Sequence, residues 1–347
     1  MSPAPSPSGD PAATGSDPAG PLSDARLAAE LCRLGVAADG SQLVIVPLSG
    51  GVSNDVFAVS GPGVDVVVKQ ALPRLRVAEE WLAAPGRVVT EAKALQTAGR
   101  IRPGHVPRVI AVDPRWHLAV IERAPRHFAQ WRGQLLSGRI EVGIADDLGE
   151  LLADWHVNTV DDPLVDAEFA DVEAFIQLRV DPFYRWVAAR HPDIAARISK
   201  VADQMLSTRR CLVHGDFSPK NVLVADGGLW VIDWEVAHIG DPVFDVAFLI
   251  THLACKTLHR PADGPAFHAA AAAFMASYNQ ASAPALGELD PGYLARQVGC
   301  LLLARMDGKS PATYLSAPQR ARGRALAREV LLADDNQRWG DLWAHLP

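Results

Sequence analysis

A histidine, an aspartate and an asparagine stand close together in the segment LVHGDFSPKNVLV, residues 212–224. Asp216 precedes Asn221 by five residues, and Asp233 follows Asn221 by twelve. Carboxylate and amide oxygens are ligands that Mg²⁺ accepts when phosphate oxygens and water complete its octahedral shell. A carboxylate that stays free of the metal can accept a proton from an attacking hydroxyl group. These residues therefore predict a magnesium site at Asn221 and Asp233 beside a general base, Asp216.

The segment NVLVADGGLWVID, residues 221–233, predicts the element that positions these groups. Its two apolar runs are separated by Asp226-Gly227, a dipeptide typical of tight hairpin turns. A hairpin places the start of its first strand, Asn221, beside the end of its second strand, Asp233. Asp216 lies on the loop that enters the same hairpin. The alternative, in which these polar residues only cap a loop, is disfavoured by this convergence.

The rest of the chain divides into a β-rich part and a helical part. Strands are predicted at 43–48, 56–60, 64–69, 108–113 and 117–122, with helices at 22–35 and 87–99. Further helices are predicted at 143–158, 171–189, 193–206, 241–256, 264–280, 291–305 and 319–333. The fold class is therefore α+β, with an antiparallel β-rich N-terminal lobe at 23–122 and a mainly helical C-terminal lobe at 123–347. Residues 1–22, rich in Pro, Ser, Ala and Gly, are predicted to form a disordered tail.

The spacing H-x-D-x-x-x-x-N resembles the catalytic loop of the aminoglycoside phosphotransferase and choline kinase superfamily. In addition, the runs VKQALPRLRV (68–77) and EEWL (79–82) are similar to the N-lobe of 5-methylthioribose kinases, and Asp233 and Glu235 match the D-x-E motif of that family. The resemblance implies a bilobal protein-kinase-like fold. It also implies transfer of the γ-phosphoryl group of MgATP to a hydroxyl group of a small molecule.

The same resemblance implies a nucleotide site in the N-terminal lobe. A strand lysine of such kinases reaches the α- and β-phosphates and pairs with a helix glutamate. Lys69 matches the lysine and Glu91 the glutamate, with Glu79 and Glu80 as nearby alternatives. The turn SGGVSNDVF (49–57) is expected to cradle phosphate oxygens.

Further site residues are implied at three places. In the cradling turn they are Gly51, Ser53 and Asn54. Adenine is expected against the connector 119–125, bonded to the backbone of Glu122 and Ala124. The metal ligands are Asn221 and Asp233, with Glu235 as a possible third.

Bulk properties exclude several classes of protein. The net charge of −7 argues against a general nucleic-acid binder, and no apolar run is long enough to span a bilayer. The four cysteines are scattered, which fits a reducing cytoplasm better than a disulfide framework. We therefore expect a cytoplasmic enzyme, monomeric or homodimeric, without a nucleic-acid or membrane partner.

Three functions remain open. The first is a kinase of a sugar or related alcohol. The second is an aminoglycoside O-phosphotransferase that confers antibiotic resistance. Its polycationic substrate would suit the eleven carboxylates between Arg139 and Arg179, a stretch without Lys or Arg, although such runs are usually solvated helical faces. The third is a nucleotide-binding pseudokinase, which would not need the complete set of polar residues.

The acceptor is expected to meet the C-terminal helices. Arg305 and Lys309 lie four residues apart at the end of an apolar helix, in LLLARMDGKSPATYL (301–315). Charges there would be costly if they were buried without partners. They are candidates for binding sugar hydroxyls or an anionic group of the acceptor, and the alternative is a solvated helix end.

Overall fold

The structure, a computed structural model, describes residues 22–48, 53–76, 81–333 and 338–346. Its N-terminal part contains the strands β1 (Val44–Pro47), β2 (Asn54–Gly61), β3 (Val64–Ala71), β4 (Val109–Asp113) and β5 (Leu118–Glu122). They form one antiparallel sheet in the order β1-β2-β3-β5-β4. Helices α1 (Asp24–Arg33) and α2 (Arg87–Ile101) accompany the sheet, with a 3₁₀ turn at Gly40–Gln42.

Strand β3 shows how the sheet orients its polar residues. Val66 and Val68 pack into an apolar cluster that includes Leu27 and Leu31 of α1. Because successive side chains of a strand point to opposite faces, Lys69 points to the other face of the sheet. Helix α2 packs on that face, so the sequence VDVVVKQ both builds the core and presents one lysine to a helix.

The C-terminal part is mainly helical. Its helices are α3 (Trp131–Ser137), α4 (Val142–Val157), α5 (Pro163–Glu168), α6 (Glu173–Phe175), α7 (Trp186–Arg190), α8 (Ala195–Ser207), α9 (Pro242–His259), α10 (Gly264–Leu286), α11 (Pro291–Asp307), α12 (Ala317–Leu332) and α13 (Asp341–His345). A π-helical stretch, Ile176–Arg185, joins α6 to α7, and a 3₁₀ turn occupies Pro261–Asp263. The short strands are β6 (Ala129–Gln130), β7 (Cys211–Val213), β8 (Val222–Ala225), β9 (Gly228–Val231) and β10 (His238–Gly240).

The helices enclose one large apolar core. Helix α9 is buried along nearly its whole length and lies between α10 and α11. Helices α4 and α10 approach closely at Gly149, where a Cβ atom would lie 2.3 Å from the carbonyl oxygen of Phe274. A residue larger than glycine would therefore force these helices apart.

The predicted fold class is confirmed, and each predicted strand and helix has a counterpart at nearly the predicted position. The sequence patterns did not predict the short elements α3, α5, α13, β6, β7 and β10. The predicted disordered tail, residues 1–22, is corrected at its last residue. The side chain of Leu22 is buried, and its N–H donates to Gln70 Oε1 at 3.0 Å. The division into lobes after residue 122 stays a prediction.

Some sequence expectations lie outside the described residues. These are the remainder of the tail, residues 1–21, the cradling-loop residue Gly51, and the alternative glutamates Glu79 and Glu80. Within the described part, no helix combines the length and the apolar character that crossing a membrane would require.

Candidate active site

The predicted hairpin forms and brings its two ends together. Val222 of β8 pairs with Val231 of β9, and Ala225 pairs with Gly228 across the two-residue turn. The N–H of Ile232 donates to the carbonyl oxygen of Asn221 at 2.9 Å. Asn221 and Asp233 are therefore neighbours, as the spacing of the residues predicts.

Asp216 lies on the loop before the hairpin and is buried. Its Oδ2 accepts a hydrogen bond from Asn221 Nδ2 at 2.8 Å and lies 3.0 Å from Arg179 Nη2 and 2.8 Å from Lys220 Nζ. Burial by itself would raise the pKa of Asp216, but the charges of Arg179 and Lys220 outweigh burial and lower it. Asp216 is thus held as a carboxylate at neutral pH.

The backbone before Asp216 is fixed by a buried aspartate. Asp245, at the start of α9, accepts hydrogen bonds from the N–H groups of His214 at 2.6 Å and Gly215 at 2.9 Å. Asp245 therefore has a structural role at this loop. Gly215 has φ of 74° and sits so close to Val236 that a Cβ atom would lie 2.9 Å from its carbonyl oxygen.

His214 connects the loop to the hairpin. Its Nδ1 accepts a hydrogen bond from the N–H of Asp216 at 3.1 Å, so Nε2 carries the proton that it donates to the carbonyl of Ile232 at 3.1 Å. Burial lowers the pKa of His214, which keeps the ring neutral and preserves this pair of hydrogen bonds. The histidine therefore sets the position of Asp216 relative to the end of β9.

Lys69 joins the sheet, α2 and the hairpin. Its Nζ donates to Glu91 Oε1 at 2.5 Å and to Asp233 Oδ1 at 2.8 Å. Burial would lower the pKa of Lys69, but Asp233 and Glu91 raise it above the ordinary value. Burial raises the pKa of Glu91 to about 7, with Lys69 acting in the opposite direction. The predicted pairing of Lys69 with Glu91 is present.

Asp233 has a backbone conformation that is unusual for its residue type. Its φ is 73°, in the left-handed region where side chains other than those of Gly, Asn and Asp are disfavoured. Burial would raise the pKa of Asp233, but Lys69 and Lys220 lower it. A charged carboxylate is thus held in a strained turn next to Lys69, which is a common feature of functional sites.

Glu235 is bound by residues of the N-terminal part. One oxygen accepts a hydrogen bond from Ser53 Oγ at 2.7 Å, and the other accepts from Asn54 Nδ2 at 2.9 Å and from Arg87 Nε at 3.0 Å. In this arrangement the side chains of Ser53 and Asn54 donate to Glu235, whereas the sequence predicts that they face phosphate oxygens. The nucleotide role of Ser53 and Asn54 and the metal role of Glu235 stay predictions.

The connector after β5 presents backbone groups. The N–H of Glu122 donates to the carbonyl oxygen of Arg108 at 2.8 Å, and the Glu122 carboxylate accepts from Arg108 Nε at 3.0 Å. Within the described part of the chain, the N–H and C=O of Ala124 have no hydrogen-bond partner. Ala124 is therefore open to an adenine ring, and the N–H of Glu122 is already used.

A cavity of about 310 Å³ opens beside Asp216. Asp216, Glu235 and Trp81 line it, and Trp81 is fixed by a hydrogen bond from Nε1 to the carbonyl of Gln177 at 2.8 Å. A larger depression of about 850 Å³ lies at the turn of the hairpin and α4 but contains none of the predicted site residues. The smaller cavity is therefore the one that contains the candidate base.

The structure separates the two predicted acceptor residues. Arg305 lines the cavity beside Asp216. Lys309 instead lies over the ring of Trp186, 4.7 Å from its centroid, at a separate small cavity. The expectation that Lys309 shares the acceptor site with Arg305 is therefore corrected.

Four further cations line the same cavity and were not predicted from the sequence: Arg132, Arg179, Lys220 and Lys256. Arg179 is the first basic residue after the acidic stretch, and it reaches Asp216 from the π-helical segment. Lys256 lies near the end of α9 in a run of buried apolar residues. One charge in such a run is the signal that could have singled it out.

The oxygen atoms at Asn221 and Asp233 fit a divalent metal ion. Asn221 uses Nδ2 to bind Asp216, and Asp233 uses Oδ1 to bind Lys69. Among the described residues, no group donates to Asn221 Oδ1 or Asp233 Oδ2, which leaves two oxygens for a metal. No cluster of three or more His, Cys, Asp or Glu side chains suited to a metal occurs in that part of the chain. Two protein oxygens suit Mg²⁺ when a nucleotide supplies further ligands.

The chain resembles known proteins in sequence. A model of the phosphotransferase enzyme family matches residues 44–274, more than half of the chain. Methylthioribose kinase of Pectobacterium carotovorum subsp. carotovorum (strain PC1) is 31% identical over 215 residues, which cover 54% of this chain and 53% of that protein. Methylthioribose kinase of Geobacillus thermodenitrificans (strain NG80-2) is 26% identical over 269 residues, with coverages of 70% and 68%. In matches such as the first, the chain spans about half the length of the curated relatives.

Solved structures share the fold. A choline/ethanolamine kinase family protein from Mesorhizobium loti superposes with a TM-score of 0.51 at 16% identity, covering 91% of this chain and 97% of that one. An amicoumacin kinase gives a TM-score of 0.51 at 15% identity, with coverages of 85% and 89%. The resemblance inferred from the motifs is thereby confirmed at the level of family and fold.

Proposed function

Because this chain belongs to the phosphotransferase enzyme family, we propose that it is a small-molecule kinase. It transfers the γ-phosphoryl group of ATP to a hydroxyl group of a small acceptor. The observation that carries the proposal is the position of Asp216, a buried carboxylate that borders a cavity and contacts Asn221, beside the Asp233 carboxylate that binds Lys69. A base, a phosphate-binding lysine and two oxygens for a metal ion then lie in one site.

We assign Asp216 the role of orienting and deprotonating the acceptor hydroxyl. The acceptor oxygen forms a bond to the γ-phosphorus as the bond from that phosphorus to the β,γ-bridging oxygen breaks, and ADP leaves. The hydroxyl proton passes to Asp216. Arg179 and Lys220 keep this carboxylate charged and fixed, because both lie within 3.0 Å of Oδ2.

Lys69 steadies the α- and β-phosphates, and Glu91 holds Lys69 in place. Adenine lies against the connector, where the backbone of Ala124 is open. Asn221 and Asp233 would hold Mg²⁺, which supplies charge neutralisation on the phosphate oxygens. Since the transition state of phosphoryl transfer is loose, catalysis by these residues consists mainly of positioning and electrostatic stabilisation.

The acceptor cavity favours a small alcohol, such as a sugar, over an aminoglycoside. Its volume of about 310 Å³ is at the lower end of ligand pockets. Asp216 and Glu235 are the two carboxylates among its described lining residues, and the acidic stretch after Arg139 contributes none. A polycation would therefore meet mostly like charges. The methylthioribose kinases support a sugar-type acceptor as the finer proposal.

The test is release of ADP from ATP and Mg²⁺ in the presence of a panel of small alcohols, with aminoglycosides in the same panel. We expect acceptor-dependent ADP release with one or more small alcohols and no such release with kanamycin-type polycations. The Asp216→Asn variant is the control for contaminating kinases. Nucleotide binding without acceptor-dependent release for any compound would favour the pseudokinase alternative.

A further inference from the structure

The cavity beside Asp216 has a positive lining. Five cations border it: Arg132, Arg179, Lys220, Lys256 and Arg305. Arg179 and Lys220 are paired with Asp216, and the second carboxylate, Glu235, is paired with Arg87. Among the described residues, no carboxylate lies within ion-pair distance of Arg132, Lys256 or Arg305. The excess charge is therefore concentrated on these three residues.

Of the three cations, Lys256 is the one whose charge is the most unfavourable to bury. Its side chain is 1% exposed, and Nζ donates to the carbonyl oxygen of His252 at 3.2 Å and lies 5.9 Å from the centroid of the Tyr314 ring. Burial lowers the pKa of Lys256 to about 7, with Arg305 and Arg132 acting in the same direction. An ammonium group held in this way is destabilising unless a negative charge binds to it.

The surroundings of Lys256 supply further donors. Arg305 donates Nη1 to Ser310, while its Nε is buried without a partner in the described part of the chain. The hydroxyl of Tyr314 is also buried and has no partner there. The guanidinium of Arg305 and the hydroxyl of Tyr314 thus each have a donor without a partner among the described residues. Both residues line the same side of the cavity as Lys256, and the cavity also contains the base Asp216.

We propose that this wall, formed by Lys256, Arg305 and Tyr314, is a binding site for an anionic group of the acceptor. The acceptor is then an alcohol that also carries a carboxylate or a phosphate group. This inference rests on the proposed kinase function and names its substrate class. The anionic end binds the wall, and the hydroxyl end meets Asp216.

The first experiment compares matched acceptors by ADP release. Glycerate is compared with glycerol, and ribose 5-phosphate with ribose, because each pair differs mainly in the anionic group. We expect the anionic member of at least one pair to have the higher kcat/KM, by roughly tenfold or more, since hydrogen bonds to charged groups are the stronger ones. For that substrate, Lys256→Met and Arg305→Gln should raise the acceptor KM roughly ten- to hundredfold, with the KM for ATP little changed.

Lys309→Gln is the matched control, because Lys309 is close to Arg305 in sequence but lies outside the cavity. A second measurement does not depend on turnover. Calorimetric titration with inorganic phosphate, in the presence of saturating ADP, should show binding to the wild-type protein and to Lys309→Gln. The same titration should show a large loss of affinity in Lys256→Met and Arg305→Gln.

The two measurements separate two kinds of failure. Phosphate binding that depends on Lys256 and Arg305, without phosphorylation of any alcohol, would retain the anion site and overturn the kinase function. Phosphorylation of neutral and anionic alcohols with equal kcat/KM, together with phosphate binding that is absent or indifferent to both substitutions, would retain the kinase and overturn the anion site.

Discussion

Arg87 and Glu235 form a buried ion pair, with 3.0 Å between Nε and Oε2. It joins α2 of the N-terminal part to the segment that follows Asp233. Removal of one partner from such a pair usually costs about 3–5 kcal/mol, because the other charge stays buried and unpaired. We therefore expect Glu235→Gln to lower the free energy of unfolding by about this amount, measured by urea denaturation.

A double substitution separates the ion pair from general packing effects. Arg87 also donates to the carbonyl oxygens of Ala83, Ala84 and Leu72, so Arg87→Met removes more than the ion pair. In a cycle of Arg87→Met, Glu235→Leu and the double substitution, we expect the double substitution to be less destabilising than the sum of the two single ones. If Glu235→Gln is as stable as the wild-type protein, the pair makes no contribution to stability. Glu235→Gln should also retain Mg²⁺-dependent ATP binding, because both of its oxygens are already engaged.

Asp233→Asn should remove the Mg²⁺ dependence of ATP affinity. The substitution preserves side-chain shape, and asparagine tolerates the positive φ of this position. Titration calorimetry with ATP, with and without Mg²⁺, measures the effect. An unchanged response to Mg²⁺ would mean that the metal ion binds elsewhere.

Asp216→Asn should lower turnover on the order of 10²–10⁴-fold, the usual contribution of a general base. ATP affinity should stay near that of the wild-type protein, because Asp216 faces the acceptor cavity. Acceptor-dependent ADP release and ATP titration measure the two effects. Turnover close to that of the wild-type protein would remove Asp216 from the mechanism.

Lys256→Met should stabilise the protein, and more strongly at pH 6 than at pH 9. The pKa of Lys256 is about 7 in the folded protein, below its ordinary value of 10.5. Between these values the unfolded chain binds more protons, so this group makes stability rise with pH. Below about pH 7 the folded protein carries the full free-energy cost of burying the ammonium group. The difference between the two pKa values corresponds to several kcal/mol.

Melting temperatures of both proteins at the two pH values measure this effect. Lys200→Met is the control, because Lys200 is exposed and its removal should not produce the same pH dependence. The charged and titratable groups that face Lys256 are Cys255, Arg132, Arg305, His252 and Tyr314. Equal gains in melting temperature at pH 6 and pH 9 would contradict the buried charge.

The polar set at the hairpin could be predicted because its geometry is local. Asn221 and Asp233 are separated by a two-stranded segment with an Asp-Gly turn, and strand pairing alone brings them together. The pairing of Lys69 with Glu91 could be predicted for a similar reason, because it joins a strand to the helix that follows it in the chain. Where spacing along the chain determines spacing in the fold, the sequence is informative.

The contact of Arg179 with Asp216 and the partners of Glu235 could not be predicted in this way. Arg87 lies 148 residues before Glu235, and no local pattern indicates that the two will be adjacent. Arg179 stands on a π-helical segment, where the phase of side chains departs from the 3.6-residue period used to read helices. Such contacts depend on how whole elements pack, which a single sequence does not specify.

The positive φ of Asp233 has a consequence for selection among variants of this chain. In a library that contains all amino acids at position 233, a screen for folded protein should enrich glycine, because glycine relieves the strain of the left-handed backbone. A screen for phosphorylated product should retain aspartate, because its carboxylate binds Lys69 and, in the proposed mechanism, a metal ion. At this position the fitness landscapes for folding and for catalysis have different optima.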